Sequence, residues 1–199
     1  MNPDNDLTLQ AYNDHLQDYV AANKTTVEGS LKAWIDKVLE LIPKGGKILE
    51  IGSGYGRDAA YMDSLGYQVT PTDAAESFVE LLNSKGLKAR KLNALTDDFG
   101  TDFDLVFAQA VFLHFTPGQL EQILKKSFNC LKSGGILAFS VKEGRGEGWS
   151  DDYLGVPRYF CFWEKPELQK ITETASFQSV EITERRGTRN MMLHVVAKK

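Results

Sequence analysis

Residues 48–56 read Ile48-Leu49-Glu50-Ile51-Gly52-Ser53-Gly54-Tyr55-Gly56, an apolar run that passes directly into closely spaced glycines. A buried strand that turns tightly into a helix needs glycine there, because the backbone adopts unusual torsions and a ligand must approach it closely. A helix-period segment follows, and Asp73 stands at the end of the next apolar segment. A carboxylate at that point can accept hydrogen bonds from ribose hydroxyls. The pattern predicts a nucleoside-containing ligand at the carboxyl edge of a parallel sheet.

The glycine spacing also bears on the kind of nucleoside. Gly52, Gly54 and Gly56 give G-x-G-x-G, whereas the nicotinamide fingerprint is G-x-G-x-x-G with a pyrophosphate at the helix N-terminus. Glu50 precedes the first glycine, and a carboxylate there would repel a diphosphate. The same carboxylate suits a ligand that carries an ammonium and a sulfonium but no phosphate, as S-adenosylmethionine does. The sequence has no G-x-x-x-x-G-K-[ST] run, which excludes a P-loop.

The remainder of the chain alternates short apolar segments with helix-period segments, which is typical of βα units on a parallel sheet. An amphipathic helix carrying Leu9, Tyr12, Leu16 and Tyr19 is expected first, and a second helix over residues 26–42. We expect strands at residues 47–51, 67–72, 87–92, 103–107 and 136–141, helices at 57–65, 73–82 and 116–131 and from about 166, and a closing antiparallel hairpin of 180–184 and 192–197. These elements predict an open α/β sheet with helices on both faces.

We expect one domain over residues 1–199, because the length and the 42% apolar and 25% charged composition fit a single globular unit. Its expected parts are N-terminal helices or a lid at 1–42, a cofactor-binding core at 47–141, a substrate loop at 142–164 and a C-terminal helix and hairpin at 165–199.

Composition narrows the classes of partner and compartment. The net charge of −4 disfavours nucleic acid and anionic membranes as partners. The first 23 residues contain no Lys or Arg, and no apolar stretch is long enough for a membrane span, so neither a signal peptide nor a span is predicted. Cys130 and Cys161 form neither a disulfide framework nor zinc-ligand spacing, and no metal is expected. We therefore predict a cytoplasmic protein, monomeric or homodimeric.

Several of these motifs resemble those of one family. The run from Glu50 to Gly56, with Asp73 and the segment Phe103-Asp104-Leu105-Val106, resembles the class I S-adenosylmethionine-dependent methyltransferases. Gly56-Arg57-Asp58 with Gly66-Tyr67 is similar to a small bacterial branch that includes tellurite-resistance-type enzymes. The resemblance spans residues 12–197. It implies a Rossmann-like seven-stranded sheet in the order 3-2-1-4-5-7-6 with strand 7 antiparallel, and S-adenosylmethionine as cofactor.

The resemblance also implies roles for individual residues. The backbone of residues 52–56 would pass under the methionine and ribose, with Glu50 ordering that end and Asp73 holding the ribose hydroxyls. Asn93 stands where the family usually has an Asp that faces the adenine amine, and its carbonyl can accept the same hydrogen bond. The full implied set is Tyr12, Tyr19, Glu50, Gly52, Ser53, Gly54, Tyr55, Gly56, Arg57, Asp73, Ala74, Asn93, Ala94, Gln109 and Ala110. Tyr12 and Tyr19 have an alternative reading as core residues of the first helix.

The acceptor side of the site rests on looser signals. His114, just past the fourth strand, is a candidate general base, or else a packed and hydrogen-bonded residue. The Gly- and aromatic-rich segment that follows the fifth strand, Tyr153 included, is either a solvated loop or a lid whose apolar wall receives a substrate. Candidate acceptor-binding residues are Lys142, Arg145, Trp149, Arg158 and Tyr159, of which Arg145 or Arg158 could hold an anion. Arg185, Arg186 and Arg189 are expected at an exposed hairpin tip.

The function predicted from the sequence is methyl transfer from S-adenosylmethionine to an O, N, S or metalloid atom of a small molecule. Phe107-Ala108-Gln109-Ala110 replaces the Asn/Asp-Pro-Pro-Tyr run of enzymes that methylate amide or base nitrogens, which disfavours a planar amine acceptor. Two alternatives remain open, a non-catalytic S-adenosylmethionine-binding protein and a nicotinamide-dependent oxidoreductase.

Overall fold

A computed structural model describes residues 3–152, 154–187 and 190–199 of the chain; Tyr153 and Arg189 lie outside these ranges. The helices are α1 (Pro3–Asp14), α2 (Leu16–Ala22), α3 (Gly29–Leu39), α4 (Arg57–Ser64), α5 (Glu76–Ser84), α6 (Pro117–Cys130) and α7 (Lys165–Thr174), with a 3-10 helix at Phe112–His114. The strands are β1 (Lys47–Ile51), β2 (Gln68–Asp73), β3 (Arg90–Lys91), β4 (Phe103–Ala108), β5 (Leu131–Glu143), β6 (Glu147–Ser150), β7 (Arg158–Trp163), β8 (Ser179–Arg186) and β9 (Met191–Lys198). No helix in the described ranges is long and apolar enough to cross a membrane.

The sheet has the expected order. Strands β3, β2, β1, β4 and β5 lie side by side and parallel. Strand β9 pairs antiparallel with β5, and β8 pairs with β9, so the main order is 3-2-1-4-5-9-8. Strands β8 and β9 are the predicted closing hairpin, which confirms the Rossmann-like order. Because the strand order reverses between β1 and β4, their carboxyl ends open a crevice where ligands bind in such sheets.

Alternate residues of the central strands supply the two halves of the core. Leu49 and Val106 pack on one face of the sheet with α6 and the segment after β4. Ile48 and Leu105 pack on the other face with the buried stripe of α3, which includes Trp34. This two-sided burial follows from side chains pointing alternately up and down along a strand. It fixes β1 and β4 rigidly behind the glycine turn.

The segment at residues 142–164 differs from the expected loop. Strands β6 and β7 form an antiparallel hairpin there, and the end of β5 pairs with β7 in parallel, Lys142 opposite Phe162 and Glu143 opposite Trp163. The aromatic residues that suggested a wall for a substrate are mostly buried along β7. Aromatic side chains favour strands because they pack well on a pleated surface. The aromatic residues of this segment therefore indicated a strand more strongly than its glycines indicated a loop.

The N-terminal segment is also built differently from the prediction. The single expected amphipathic helix is two helices, α1 and α2, separated at His15. The third strand is only Arg90–Lys91 long, shorter than expected, and α3 covers Gly29–Leu39 rather than the whole of residues 26–42. The strands and helices that carry the glycine turn and the acid of β2 lie where the sequence predicted them.

Candidate functional site

The glycine turn between β1 and α4 has a left-handed backbone at each glycine. The φ angles are +69° at Gly52, +54° at Gly54 and +87° at Gly56, a region that residues with a side chain rarely adopt. A Cβ atom added to Gly52 would lie 2.4 Å from Cγ2 of Val111. The loop after β4 therefore packs closely against the backbone of the turn at Gly52.

Asp73 holds this turn from the neighbouring strand. Its Oδ2 accepts a hydrogen bond from the backbone N–H of Gly54 at 2.9 Å, and its Oδ1 accepts one from Ala75 at 2.9 Å. Burial raises the pKa of Asp73 to about 6, against the opposing effect of those backbone donors. The carboxylate thus both shapes the turn and lines the cavity beside it.

Glu50 takes a position behind the turn. It is 3% exposed, and its Oε2 accepts a hydrogen bond of 2.5 Å from the Ser53 hydroxyl. That hydroxyl in turn accepts from the backbone N–H of Thr72 at 3.0 Å, which ties β1 to β2. Burial, followed by the nearby charge of Asp58, raises the pKa of Glu50 to about 8. Glu50 acts on the turn through Ser53.

A cavity with about 100 Å³ of water-accessible space lies over the turn at the carboxyl ends of β1, β2 and β4. Like most ligand sites, it is mainly apolar with a few placed polar groups. The described residues that line it are Asn5, Thr8, Leu9, Tyr12, Tyr19, Ile51, Gly52, Gly54, Asp73, Ala74, Phe78, Leu92, Asn93, Ala94, Gln109, Ala110, Val111, His114 and Phe115. The structure thus brings eleven of the sequence candidates to one cavity: Tyr12, Tyr19, Gly52, Gly54, Asp73, Ala74, Asn93, Ala94, Gln109, Ala110 and His114.

Five predicted cofactor residues lie in the turn or next to it but outside the described cavity lining: Glu50, Ser53, Tyr55, Gly56 and Arg57. The Tyr55 hydroxyl donates to the carbonyl of Lys24 at 2.6 Å, and Arg57 forms an ion pair with Asp58, with Nε 2.7 Å from Oδ1.

The segments after β3 and β4 form the far wall of the cavity. The Asn93 carbonyl oxygen, expected to face an adenine amine, accepts the backbone N–H of Leu95 at 2.9 Å. It keeps a second lone pair for another donor. Ala110 has a φ of +56°, a strained conformation for a residue with a side chain, and its N–H donates to Ser140 Oγ at 2.9 Å. Such strain tends to occur at functional sites.

An aromatic group of Tyr12, Tyr19 and Phe78 closes the cavity on the side of the N-terminal helices. The Tyr12 and Tyr19 rings meet edge to face with centroids 5.4 Å apart, and Tyr19 meets Phe78 at 5.5 Å. Tyr12 and Tyr19 therefore pack against other aromatic rings and also line the cavity. Their positions agree with both interpretations of the sequence, core residues and cofactor-binding residues.

His114 is buried and neutral. Its Nδ1 lies 2.7 Å from the carbonyl oxygen of Tyr159, and its Nε2 lies 2.9 Å from the Tyr12 hydroxyl. Burial, together with the charges of Arg158 and Lys142, lowers the pKa of His114 to about 3, against the opposing effect of the hydrogen bond to Tyr159. Since a carbonyl only accepts hydrogen bonds, Nδ1 carries the proton and Nε2 accepts from Tyr12. This arrangement gives His114 a structural bond to the N-terminal helix and makes it a weak base.

The polar face of α1 was not predicted from the sequence. Asn5 Nδ2 donates to the carbonyl of His114 at 3.1 Å, and Thr8 Oγ1 accepts from the N–H of Tyr159 at 3.1 Å. Asn5 is 7% exposed and Thr8 is 3% exposed. With Tyr12 these residues are spaced i, i+3, i+7, a single helix face, and that spacing is the signal that would have identified them. The face seats α1 over the cavity.

The predicted acceptor residues fall into two groups. Lys142, Arg158 and Tyr159 lie next to His114: Arg158 Nη1 donates to the Tyr12 hydroxyl at 3.2 Å, and Lys142 lies on the ring of Phe160. Arg145 and Trp149 point to the surface instead; Arg145 pairs with Glu164 at 2.8 Å with its side chain 81% exposed, and Trp149 is 43% exposed. Solvent screens a group so exposed, so of the two candidate anion-holding residues, Arg145 and Arg158, the buried Arg158 has the more favourable position.

Part of the chain is similar to known methyltransferases. Residues 49–139 match a family model described as a methyltransferase domain. An uncharacterised methyltransferase of Synechocystis sp. is 31% identical to the chain over 111 residues, which are 54% of this chain and 52% of that protein. The chain therefore spans about half the length of this curated relative.

Solved structures with the same fold include two methyltransferases. An S-adenosylmethionine-dependent methyltransferase from Methanosarcina mazei superposes with a TM-score of 0.71 at 20% identity, over 82% of this chain and 96% of that one. The 1,6-didemethyltoxoflavin-N1-methyltransferase of Burkholderia thailandensis, solved with its substrate and S-adenosylhomocysteine, has a TM-score of 0.66 at 20% identity, over 92% of this chain and 86% of that one. The chain therefore has the Rossmann-like fold of these two methyltransferases.

Proposed function

We propose that the chain is a class I S-adenosylmethionine-dependent methyltransferase that acts on a small-molecule acceptor. The observation that carries the proposal is Asp73, a buried carboxylate that lines the cavity and whose Oδ2 lies 2.9 Å from the backbone nitrogen of Gly54 in the glycine turn. A carboxylate beside such a turn accepts ribose hydroxyls at the switch point of an open sheet. The match of residues 49–139 to a methyltransferase domain supports the same assignment.

The residues present fit this cofactor. Gly52 and Gly54 line the cavity with backbone alone, and Val111, which packs against Gly52, also lines it. Tyr19 and Phe78 offer apolar faces, and the cavity-lining residues of the described chain include no lysine or arginine that would favour a diphosphate. S-adenosylmethionine, when bound, supplies an electrophilic methyl group on a sulfonium that is a good leaving group. The chain's own part is to position the partners and exclude water.

The geometry of His114 argues against its predicted role as general base. A histidine with a pKa near 3, whose Nε2 already accepts from Tyr12, holds a substrate proton poorly at neutral pH. We therefore assign His114 to the positioning of Tyr12. An acceptor that loses its proton to solvent, or that has none to lose, suits this site better than one that needs a strong base.

We further propose that the chain belongs to the tellurite-resistance-like branch, that it is cytoplasmic, and that it is monomeric or homodimeric. We propose a single domain whose parts are residues 1–42, 47–141, 142–164 and 165–199. The acceptor atom in this proposal is O, N, S or a metalloid of the small molecule.

The test is incubation of the purified protein with S-adenosylmethionine carrying a labelled methyl group and a fraction of cellular small molecules. We expect the label to appear in a product heavier by one methyl group. Binding of S-adenosylhomocysteine without any labelled product, across several extracts, would favour the non-catalytic alternative. Binding of NADH in place of S-adenosylhomocysteine would favour the oxidoreductase.

A further inference from the structure

The face of β7 that looks toward His114 carries two cations against one aromatic ring. Because Lys142 lies opposite Phe162 in the parallel pairing of β5 with β7, Lys142, Phe160 and Arg158 share one face of the sheet. Lys142 Nζ lies 3.5 Å from the centroid of the Phe160 ring, and Arg158 Cζ lies 5.2 Å from the same centroid. Both positive charges thus converge on a ring that is itself 4% exposed.

The cations lie next to the cavity already described. The ring of Phe160 packs against His114 with centroids 4.9 Å apart, and Arg158 donates to the hydroxyl of Tyr12. His114 and Tyr12 both line the cavity. The cationic patch, by which we mean Lys142 and Arg158 on Phe160, therefore adjoins the cavity at the end of β5.

Lys142 lacks a compensating partner among the residues that the structure describes. Its ammonium contacts the rings of Phe160 and Phe162 and forms no ion pair with a described carboxylate. Burial, and then the like charge of Arg158, lower the pKa of Lys142 to about 8, although Asp152 acts in the opposite direction. A half-buried ammonium beside another cation is unfavourable unless an anion arrives.

We propose that Lys142 and Arg158 form the anion-binding part of the acceptor site, so that the methyl acceptor carries an oxyanion, either a carboxylate or a phosphate. This inference rests on the proposed function. The patch suits such a group because an oxyanion accepts several charge-assisted hydrogen bonds.

The test is calorimetric titration of the S-adenosylhomocysteine-loaded protein with inorganic phosphate, benzoate and benzamide. Benzamide has nearly the shape of benzoate without its charge. We expect saturable binding of phosphate or of benzoate, and no binding of benzamide. Whichever anion binds identifies the acceptor's oxyanion as a phosphate or a carboxylate. Binding of benzamide as tight as that of benzoate, or no binding of either anion, overturns the proposal.

Substitution of Lys142 tests the patch directly. Lys142→Met should weaken anion binding about tenfold or more, since a charge-assisted hydrogen bond is lost. Lys142→Arg should largely restore it. Lys44→Met is the matched control, because Lys44 also lies over an aromatic ring, that of Tyr67 at 5.7 Å, but precedes β1 at the opposite edge of the sheet. Equal anion affinity in Lys142→Met and Lys44→Met contradicts the assignment.

Two further readouts separate the possible failures. The affinity for S-adenosylhomocysteine is measured in every variant. If the wild type does not bind S-adenosylhomocysteine, the proposed function fails. If it binds S-adenosylhomocysteine but neither anion, only the anion site fails. A measurement without substitution is the NMR titration of the Lys142 side chain, whose pKa should rise when phosphate is present. The charged and titratable groups that face Lys142 are Arg158, Asp152 and His114, and an unchanged Lys142 pKa would contradict phosphate binding at this patch.

Discussion

The hydroxyl of Tyr12 and the imidazole of His114 are joined by a hydrogen bond of 2.9 Å between Oη and Nε2, across 102 positions of sequence. The bond connects α1 to the segment that follows β4 and closes one side of the cavity. Arg158 donates to the same hydroxyl, so the phenol oxygen accepts from a guanidinium while its proton goes to a neutral ring. Tyr12 and His114 therefore both line the cavity, and the hydrogen bond between them also supports its wall.

The Tyr12 hydroxyl should contribute measurably to folding. Tyr12→Phe keeps the ring contacts with Tyr19 and Phe78 but leaves Nε2 of buried His114 without its donor. We expect a loss of about 1–3 kcal/mol in the free energy of unfolding, measured by urea denaturation. Tyr61→Phe, which removes a hydroxyl bound to Asp36 at the surface of α3, is the control and should cost less. Equal losses would show that the Tyr12–His114 bond adds nothing specific.

The close approach at the glycine turn predicts a non-additive pair of substitutions. Gly52→Ala forces a left-handed alanine and places its Cβ 2.4 Å from Val111 Cγ2. We expect it to cost about 1–2 kcal/mol for the backbone and a further ~1–3 kcal/mol for overpacking. Gly66→Ala, with a φ of +87° and open space around the added atom, should show the backbone cost alone.

The Gly52 clash can be tested by relief. In the background Gly52→Ala, the second change Val111→Ala should restore part of the lost stability, because it removes the methyl groups that the new Cβ meets. The measurement is a double-mutant cycle by urea denaturation. Strictly additive losses would mean that the loop after β4 does not press on the turn.

The stability of the ligand-free protein should fall as the pH rises from 6.5 to 8. The pKa of Glu50 is about 8 in the folded protein against an ordinary value of 4.5. In this pH window the Glu50 carboxyl is therefore ionised in the unfolded chain but largely protonated in the folded protein. A raised carboxyl pKa therefore gives stability that is lost with rising pH, here by about 1–2 kcal/mol. Glu50→Gln should remove that dependence, and the difference between the two pH profiles of urea denaturation isolates it. Parallel profiles would contradict the buried position of Glu50.

His114 should remain neutral in mildly acidic solution. Because its folded-state pKa is lowered to about 3, its contribution to stability is complete above 6.5 and is lost as the pH falls toward 3. In NMR titration, the ring signal that disappears in His114→Gln should not shift between pH 8 and pH 5. A midpoint near 6 to 7 would restore His114 as a candidate general base.

The sequence was sufficient for the parts of the fold that depend on local pattern. The glycine turn, Asp73 at the end of β2 and the closing hairpin all follow from strand and helix periods and from the torsions that glycine allows. The direction of Glu50 did not follow, because its orientation depends on the bond to Ser53 and on the helices packed over β1.

The parts that were missed depend on contacts between distant segments. Asn5 and Thr8 contribute to the site only through hydrogen bonds between α1 and the residues that follow β4 or lie in β7. The hairpin of β6 and β7 was not predicted because its glycines and charged residues suggested a loop. Its pairing with β5 involves Lys142 and Glu143, a contact too short to be recognised in the sequence. Arg145 and Arg158 are both cations near the end of β5, and only the packing separates the exposed one from the buried one.

The most direct test of the account is calorimetric titration of S-adenosylhomocysteine into the wild type, Asp73→Asn and the control Asp98→Asn, which removes another carboxylate that accepts a backbone N–H. We predict saturable binding by the wild type and the control, and binding about 10- to 100-fold weaker in Asp73→Asn, since a hydrogen bond to a charged group is worth about 1.5–3 kcal/mol. Affinity that is the same in all three proteins, or binding of NADH where S-adenosylhomocysteine gives no heat, would contradict the account.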